Sequence, residues 1–189
     1  VPRPPSDRPA RIADASLEII ATSGLHALTH RTIDARLGFP AGTTSYYART
    51  RAELVNRALT ALIERFDEAT LDFPIDEITT DEQAVTAVTT VTAVLTSQVT
   101  DQIARYVLLI DLRDDPELHP LINATSRVQQ RVTTLVADLL EQVGIPDPKV
   151  HALGLTALID GLVLAKLAGG SPVSIEDAIR VYWAGLPRS

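Results

Sequence analysis

The sequence predicts an all-α protein of about nine helices, and three observations carry that prediction. Apolar residues recur at spacings of three and four along almost the whole chain of 189 residues. Glycines, prolines and capping hydroxyl or acidic residues punctuate the pattern at helix-sized intervals. The most strand-like segment, the Val- and Thr-rich stretch 82–100, still keeps the helical period through Val85, Val88, Val91 or Thr92, Leu95 and Val99. It is therefore read as helix, although β-branched residues favour strands. No internal repeat is present, and no low-complexity tract beyond the N-terminal prolines.

Pro2, Pro4 and Pro5 mark a flexible arm. A first helix runs from Asp7 or Pro9 to Gly24 with Ala13, Leu17, Ile20 and Ala21 on its apolar side. Thr29 is placed to cap a second helix with Ile33 and Leu37 on one face. Gly38 supplies the left-handed residue that ends it, and Phe39 anchors the turn. The next short helix, from about Pro40 to Tyr47, holds Ala41, Gly42, Thr43, Thr44, Ser45, Tyr46 and Tyr47. It has almost no apolar stripe and poor helix propensity, so packing alone does not explain it. Outward hydroxyls and tyrosines can reach base edges and phosphates, and the small residues let the backbone approach DNA. Arg49 and Arg51 flank it, and Thr50 with Glu53 forms a capping box for a helix from Arg51 to about Leu71. His26 and His30 have a metal-compatible spacing, but a helix boundary falls between or beside them.

The Asp72–Asp81 segment closes that helix. The threonines of 82–100 suit two roles equally: core residues whose hydroxyls bond one turn back, or the polar lining of a pocket. Ile103, Tyr106, Val107 and Ile110 mark a buried helix ending before Asp115-Pro116, followed by a short turn interrupted at His119-Pro120. Leu121, Val128, Val132, Leu135, Leu139 and Val143 keep one register up to Gly144. Asp147-Pro148 caps and begins a helix to about Ala168, with Gly154, Ala157, Gly161 and Ala165 down one side. Being apolar nearly all round, it must be covered on several sides. After Gly169-Gly170, Ser174 and Asp177 begin a last helix with Ile179, Val181, Tyr182 and Trp183.

In order and spacing, Gly24, Thr29, Ile33, Leu37-Gly38-Phe39, Gly42-Thr43, Tyr47, Arg51 and Leu54 resemble the DNA-binding domain of the tetracycline-repressor (TetR) family of transcriptional regulators. The resemblance covers residues 8–66 well and the rest by helical layout. Ser45, Ala48 and Pro40 stand where that family often has tyrosine, phenylalanine and a capping serine. The expected organisation is an arm and helix-turn-helix DNA-binding domain over 1–50, a linking helix over 51–71, and a ligand-binding and dimerisation domain over 72–189.

The absence of cysteine excludes disulfides and thiolate metal sites and fits a cytoplasmic protein. No apolar run approaches the roughly 18 to 20 uncharged residues of a membrane span, and VPRPPSDRPAR is not a signal peptide. The net charge of −7 is unevenly spread: residues 1–65 hold nine arginines against six acids, the remainder eight basic residues against eighteen acids. A basic head on an acidic body suits a protein that presents one end to DNA.

No phosphate loop, metal cluster or catalytic triad order is present, so neither an enzyme nor a cofactor is expected. The favoured reading is a ligand-responsive regulator, by resemblance a repressor released from a palindromic operator by a small molecule. DNA contacts are expected from Thr29, Arg31, Thr32, Ala41, Gly42, Thr43, Thr44, Ser45, Tyr46, Tyr47, Arg49 and Arg51. The polar groups expected in an effector pocket are Thr89, Thr92, Thr96, Tyr106 and Asp111. A homodimer is expected through Gly154, Ala157, Gly161, Ala165, Ile179 and Trp183, because one head reads too few base pairs to find a site. An all-α carrier or enzyme using the body's cavity, and a helical interaction protein, are the alternatives.

Overall fold

The computed structural model describes residues 7–70, 75–118, 122–169 and 172–188. The proline-rich arm, the Phe73-Pro74 part of the expected linker and the His119-Pro120 break lie outside them. The helices are α1 Arg8–Ser23, α2 His30–Leu37, α3 Thr43–Tyr47, α4 Arg51–Thr70, α5 Asp81–Ser97, α6 Val99–Asp114, α7 Ile122–Gln142, α8 Pro148–Leu167 and α9 Ile175–Ala184. No strand occurs among the described residues, so the all-α expectation holds.

By contact the chain forms two compact units, Val1–Phe66 with Thr100–Arg127, and Asp67–Val99 with Val128–Ser189. The first unit takes in α6, which the linear boundaries assigned to the body. Its core gathers Ile12, Leu17 and Ile20 of α1, Leu25, Leu28, Ile33, Leu54 and Leu59, and Leu108 and Leu112 of α6. Asp111 of α6 accepts from the Leu25 amide at 3.4 Å. Arg65 of α4 bridges Asp14 of α1 and Asp101 of α6. These bonds tie α6 to the head it packs with.

In the second unit α5 packs on α8 and α9. Thr80 and Gln83 form the capping box that starts α5. Threonine hydroxyls then bond back along the helix: Thr86 to Glu82, Thr90 to Thr86, and the fully buried Thr92 to Val88 at 2.7 Å. This satisfies these three hydroxyls locally, which lets Thr92 sit in the core, whereas the buried Thr89 hydroxyl has no partner among the described residues. Arg180 of α9 reaches Glu82 of α5 and Glu176 one turn back, and Arg188 reaches Asp81.

Two sequence expectations are corrected here. Asp147 makes no side-chain cap for α8; it takes a left-handed conformation with φ 49°, which a short polar side chain tolerates. Ile179 and Trp183, expected at a dimer contact, are 0% and 3% exposed and fill the unit's own core. Their helix turns its bulky stripe inward and leaves Val181 outside. Among the described residues one helix, α8, is long and apolar enough to cross a membrane. Its Ala152, Leu155, Ile159, Leu162 and Val163 are core residues, which accounts for one side of that apolarity.

Candidate nucleic-acid interface

The head is built from α1, α2 and α3, with α4 starting beside them. Thr29 caps α2 as expected, its hydroxyl accepting from the Thr32 amide at 3.1 Å and meeting the Thr32 hydroxyl at 2.7 Å. Gly38 closes α2 at φ 64°, and the Phe39 amide returns to the Asp34 carbonyl at 2.8 Å. Arg11 and Arg8 of α1 place their guanidinium groups 4.9 and 5.5 Å from the Phe39 ring. Positive charge is thereby held at the turn.

Helix α3 is shorter than the sequence suggested, five residues from Thr43, with Gly42 at φ 86° before it. So short a helix of Thr, Ser and Tyr has no stability of its own. Two side chains of α2, one turn apart, hold its ends. The Asp34 carboxylate accepts from the Gly42 amide at 2.8 Å, the Thr44 amide at 2.9 Å and the Thr44 hydroxyl at 2.6 Å. His30 donates from Nε2 to the Ala48 carbonyl at 2.7 Å; since a carbonyl only accepts, that nitrogen carries the proton. From α4, Arg57 donates to the Tyr47 carbonyl. Side chains thus satisfy the Gly42 and Thr44 amides at one end of the short helix and the Tyr47 and Ala48 carbonyls at the other.

Asp34 is almost completely buried. Burial pushes its carboxyl up, but the bonds from Thr44 and Gly42, with the nearby His30, outweigh this and hold it below the usual carboxylate range. A buried carboxylate that accepts three bonds remains ionised, and the charge stands at the amide-rich start of α3.

The expected DNA-contact residues therefore divide. Arg31, Ala41, Gly42, Ser45 and Arg49 are exposed, and Tyr46 is 83% exposed with its ring edge-on to Tyr47 at 5.1 Å. Thr32, Thr43 and Tyr47 are half-buried, and the Thr43 hydroxyl donates to the Pro40 carbonyl at 2.7 Å. Thr44, expected to face a groove, is 0% exposed; it points inward because Asp34 takes its hydroxyl. Arg51, expected to hold a phosphate, instead pairs with Asp115 at 3.1 Å and donates to the Leu25 carbonyl at 3.1 Å. The Thr50–Glu53 box forms by half: Thr50 accepts from the Glu53 amide, while Glu53 accepts from the Arg49 amide at 2.7 Å. His30, Asp34 and Arg57 were missed. The available signal was the register of His30, Ile33, Asp34 and Leu37, which puts two polar groups beside the buried stripe of α2.

Of the five expected pocket residues, Thr89, Thr92 and Thr96 lie in the second unit and Tyr106 and Asp111 in the first. The Thr92 and Thr96 hydroxyls bond their own helix, Asp111 meets Leu25, and Tyr106 lies under Arg105 at 4.4 Å. Among the described residues, one small cavity of the second unit is lined by Val88, Val91, Val132, Leu135, Val136 and Ile159, with room for about one water at ≈ 10 Å³. Among the described residues no group of three or more potential ligands is placed to hold a metal.

A helix-turn-helix whose short second helix presents hydroxyls and a tyrosine between arginines, joined to a helical body, defines a DNA-binding regulator. Residues 79–186 match the family model described as tetracyclin repressor-like, C-terminal domain. The chain belongs to the tetracycline-repressor family of transcriptional regulators. No curated protein matches it. Among solved structures, a transcriptional regulator from Rhodococcus sp. Rha1 is 19% identical with a TM-score of 0.76, covering 94% of this chain and 95% of that one. A TetR-family member from Streptomyces coelicolor A3 is 24% identical with a TM-score of 0.72, covering 96% and 99%. The multidrug binding protein EbrR, complexed with imidazole, is 26% identical with a TM-score of 0.68, covering 97% of each chain.

Proposed function

We propose that this chain acts in the cytoplasm as a homodimeric repressor that binds a palindromic operator through α3 and is released by a small-molecule effector. It acts by binding and not by catalysis. The observation that carries the reading is the clamped α3, with Ser45 and Tyr46 exposed and Arg31 and Arg49 exposed on either side. Arg31 and Arg49 supply charge for phosphates, while Ser45, Tyr46 and the small residues Ala41 and Gly42 face the groove.

The outer face of α8 supports the dimer. Val150, Leu153 and Leu164 are at least half exposed there, with Gly154, Ala157 and Gly161 between them. An apolar face of this kind on a regulator that must read two half-sites fits a two-fold contact.

EbrR has also been solved with malachite green, and a regulator from Saccharomonospora viridis with choline. An effector of that size exceeds the small cavity among Val88, Val132 and Ile159, so binding at that cavity requires the helices around it to part. A ligand that selects such an opened state shifts the DNA equilibrium only by its difference in affinity for the two states, and the coupling is reciprocal. With an effector identified by mass spectrometry of the purified protein, its affinity is measured with and without saturating operator duplex. Weakening by the same factor as the effector weakens DNA is expected; an unchanged affinity contradicts release by effector.

A further inference from the structure

We propose that Asp34 is the positioning residue of DNA recognition: it sets the pose of α3, and thereby the base preference, without touching DNA. The proposal rests on the reading that α3 enters the groove. Asp34 engages three donors of the segment before and within α3: the Gly42 and Thr44 amides and the Thr44 hydroxyl. Three short bonds to one rigid carboxylate fix both the distance of α3 from α2 and its rotation about its own axis. That rotation decides which residues face out. With Thr44 turned to Asp34 and 0% exposed, Ser45 and Tyr46 are the outward pair. A rotation of one residue spacing, roughly 100°, would exchange Thr44 for Ser45.

A purely apolar contact between positions 34 and 44 would fill the same space but not discriminate rotations, because dispersion is non-directional. Hydrogen bonds are directional, and an unmade one in a buried site is costly. Base reading by bidentate or methyl contacts tolerates little misplacement, whereas phosphate attraction tolerates more. Loss of Asp34 should thus degrade selectivity before general DNA affinity.

The test uses the full chain. Duplexes preferred by the parent protein are selected from a random pool, and affinities for the best one and for a scrambled duplex of equal length are measured at several salt concentrations. The double variant Asp34→Ala/Thr44→Val replaces the buried polar pair with an apolar one, removing the buried hydroxyl together with its acceptor. It is expected to bind the scrambled duplex within about threefold of the parent with the same salt slope, and the selected duplex about 10- to 100-fold more weakly. Thr44→Ser, which keeps the hydroxyl, is expected to behave as the parent. If the double variant melts well below the parent, the isosteric Asp34→Asn is read instead, with the same loss confined to the selected duplex. Parent-like affinity of the folded variant for the selected duplex overturns the proposal and leaves Asp34 a packing residue. An equal loss on both duplexes overturns it as well. A parent protein that selects no duplex at all refutes the underlying reading of α3, and the proposal falls with it, distinguishably from the variant results.

Discussion

Arg51 carries a charge that the head can use in two ways, on a phosphate or inside the protein. The structure pairs it with Asp115 and the Leu25 carbonyl, so its first task is to fasten the start of α4 to the end of α6. Arg51→Ala and Asp115→Ala should each lower stability by about 1 kcal/mol, the double variant being no worse than the worse single one. Urea titration measures this. The two single changes should leave the salt slope of DNA binding unchanged, whereas Arg31→Ala and Arg49→Ala should each reduce it by about one. A slope reduced by Arg51→Ala alone would return that residue to the phosphates.

Asp34 also predicts a pH effect. Its folded-state carboxyl is held below the usual range, so its contribution to stability is present above the ordinary carboxylate value of about 4 and is lost as pH falls through the lower folded value. Asp34→Asn should therefore be less stable than the parent at neutral pH, and the gap should narrow as the pH falls below about 4. Urea midpoints across that range check this; a constant gap would mean that the carboxylate charge contributes nothing.

Among the elements, α8 has two faces with different jobs. Leu155, Ile159 and Val163 face the unit's interior, while Leu153, 64% exposed, and Leu164 face out. Its glycines differ too. A Cβ at Gly154 would come within 2.3 Å of the Tyr182 hydroxyl, which donates to the His151 carbonyl, whereas nothing lies within 4 Å of a Cβ at Gly161. Gly161→Arg should thus leave the fold and melting temperature intact while converting the dimer to monomer in sedimentation. Gly154→Ala should instead lower the melting temperature by shifting Tyr182. Unchanged sedimentation of Gly161→Arg against a dimeric parent would move the interface elsewhere.

The helices were legible in the sequence because a period of three to four survives even where propensity points the other way, as in α5. Caps at Thr29, Thr80 and Ser174 are local, and two of them were read from the chain. What failed was non-local. Whether Thr44 or Ser45 faces outward depends on Asp34, ten residues earlier across a turn. Trp183 looked like interface because a bulky stripe on a terminal helix gives no indication of whether α5 or a second protomer covers it. The pocket threonines were chosen for their hydroxyls, yet those of Thr92 and Thr96 bond carbonyls of their own helix, as helical hydroxyls often do.

For the whole molecule, the central claim is that two heads read two half-sites while the body controls whether they can. The charge division fits that claim, since basic residues predominate in 1–65 and acidic ones beyond. The grouping of α6 with the head matters as well. Asp111 and Asp115 bind Leu25 and Arg51, so α6 and its C-terminal end are bonded to the helix-turn-helix region. The most direct measurement is the affinity of the full chain for a selected palindromic duplex, for the same duplex with one half-site scrambled, and for a fully scrambled one, across a salt series. The account predicts two protomers on the palindrome, bound at least about 10³-fold more tightly than scrambled DNA, with most of that preference lost when one half-site is destroyed. Equal affinity for all three duplexes at every salt concentration would contradict it.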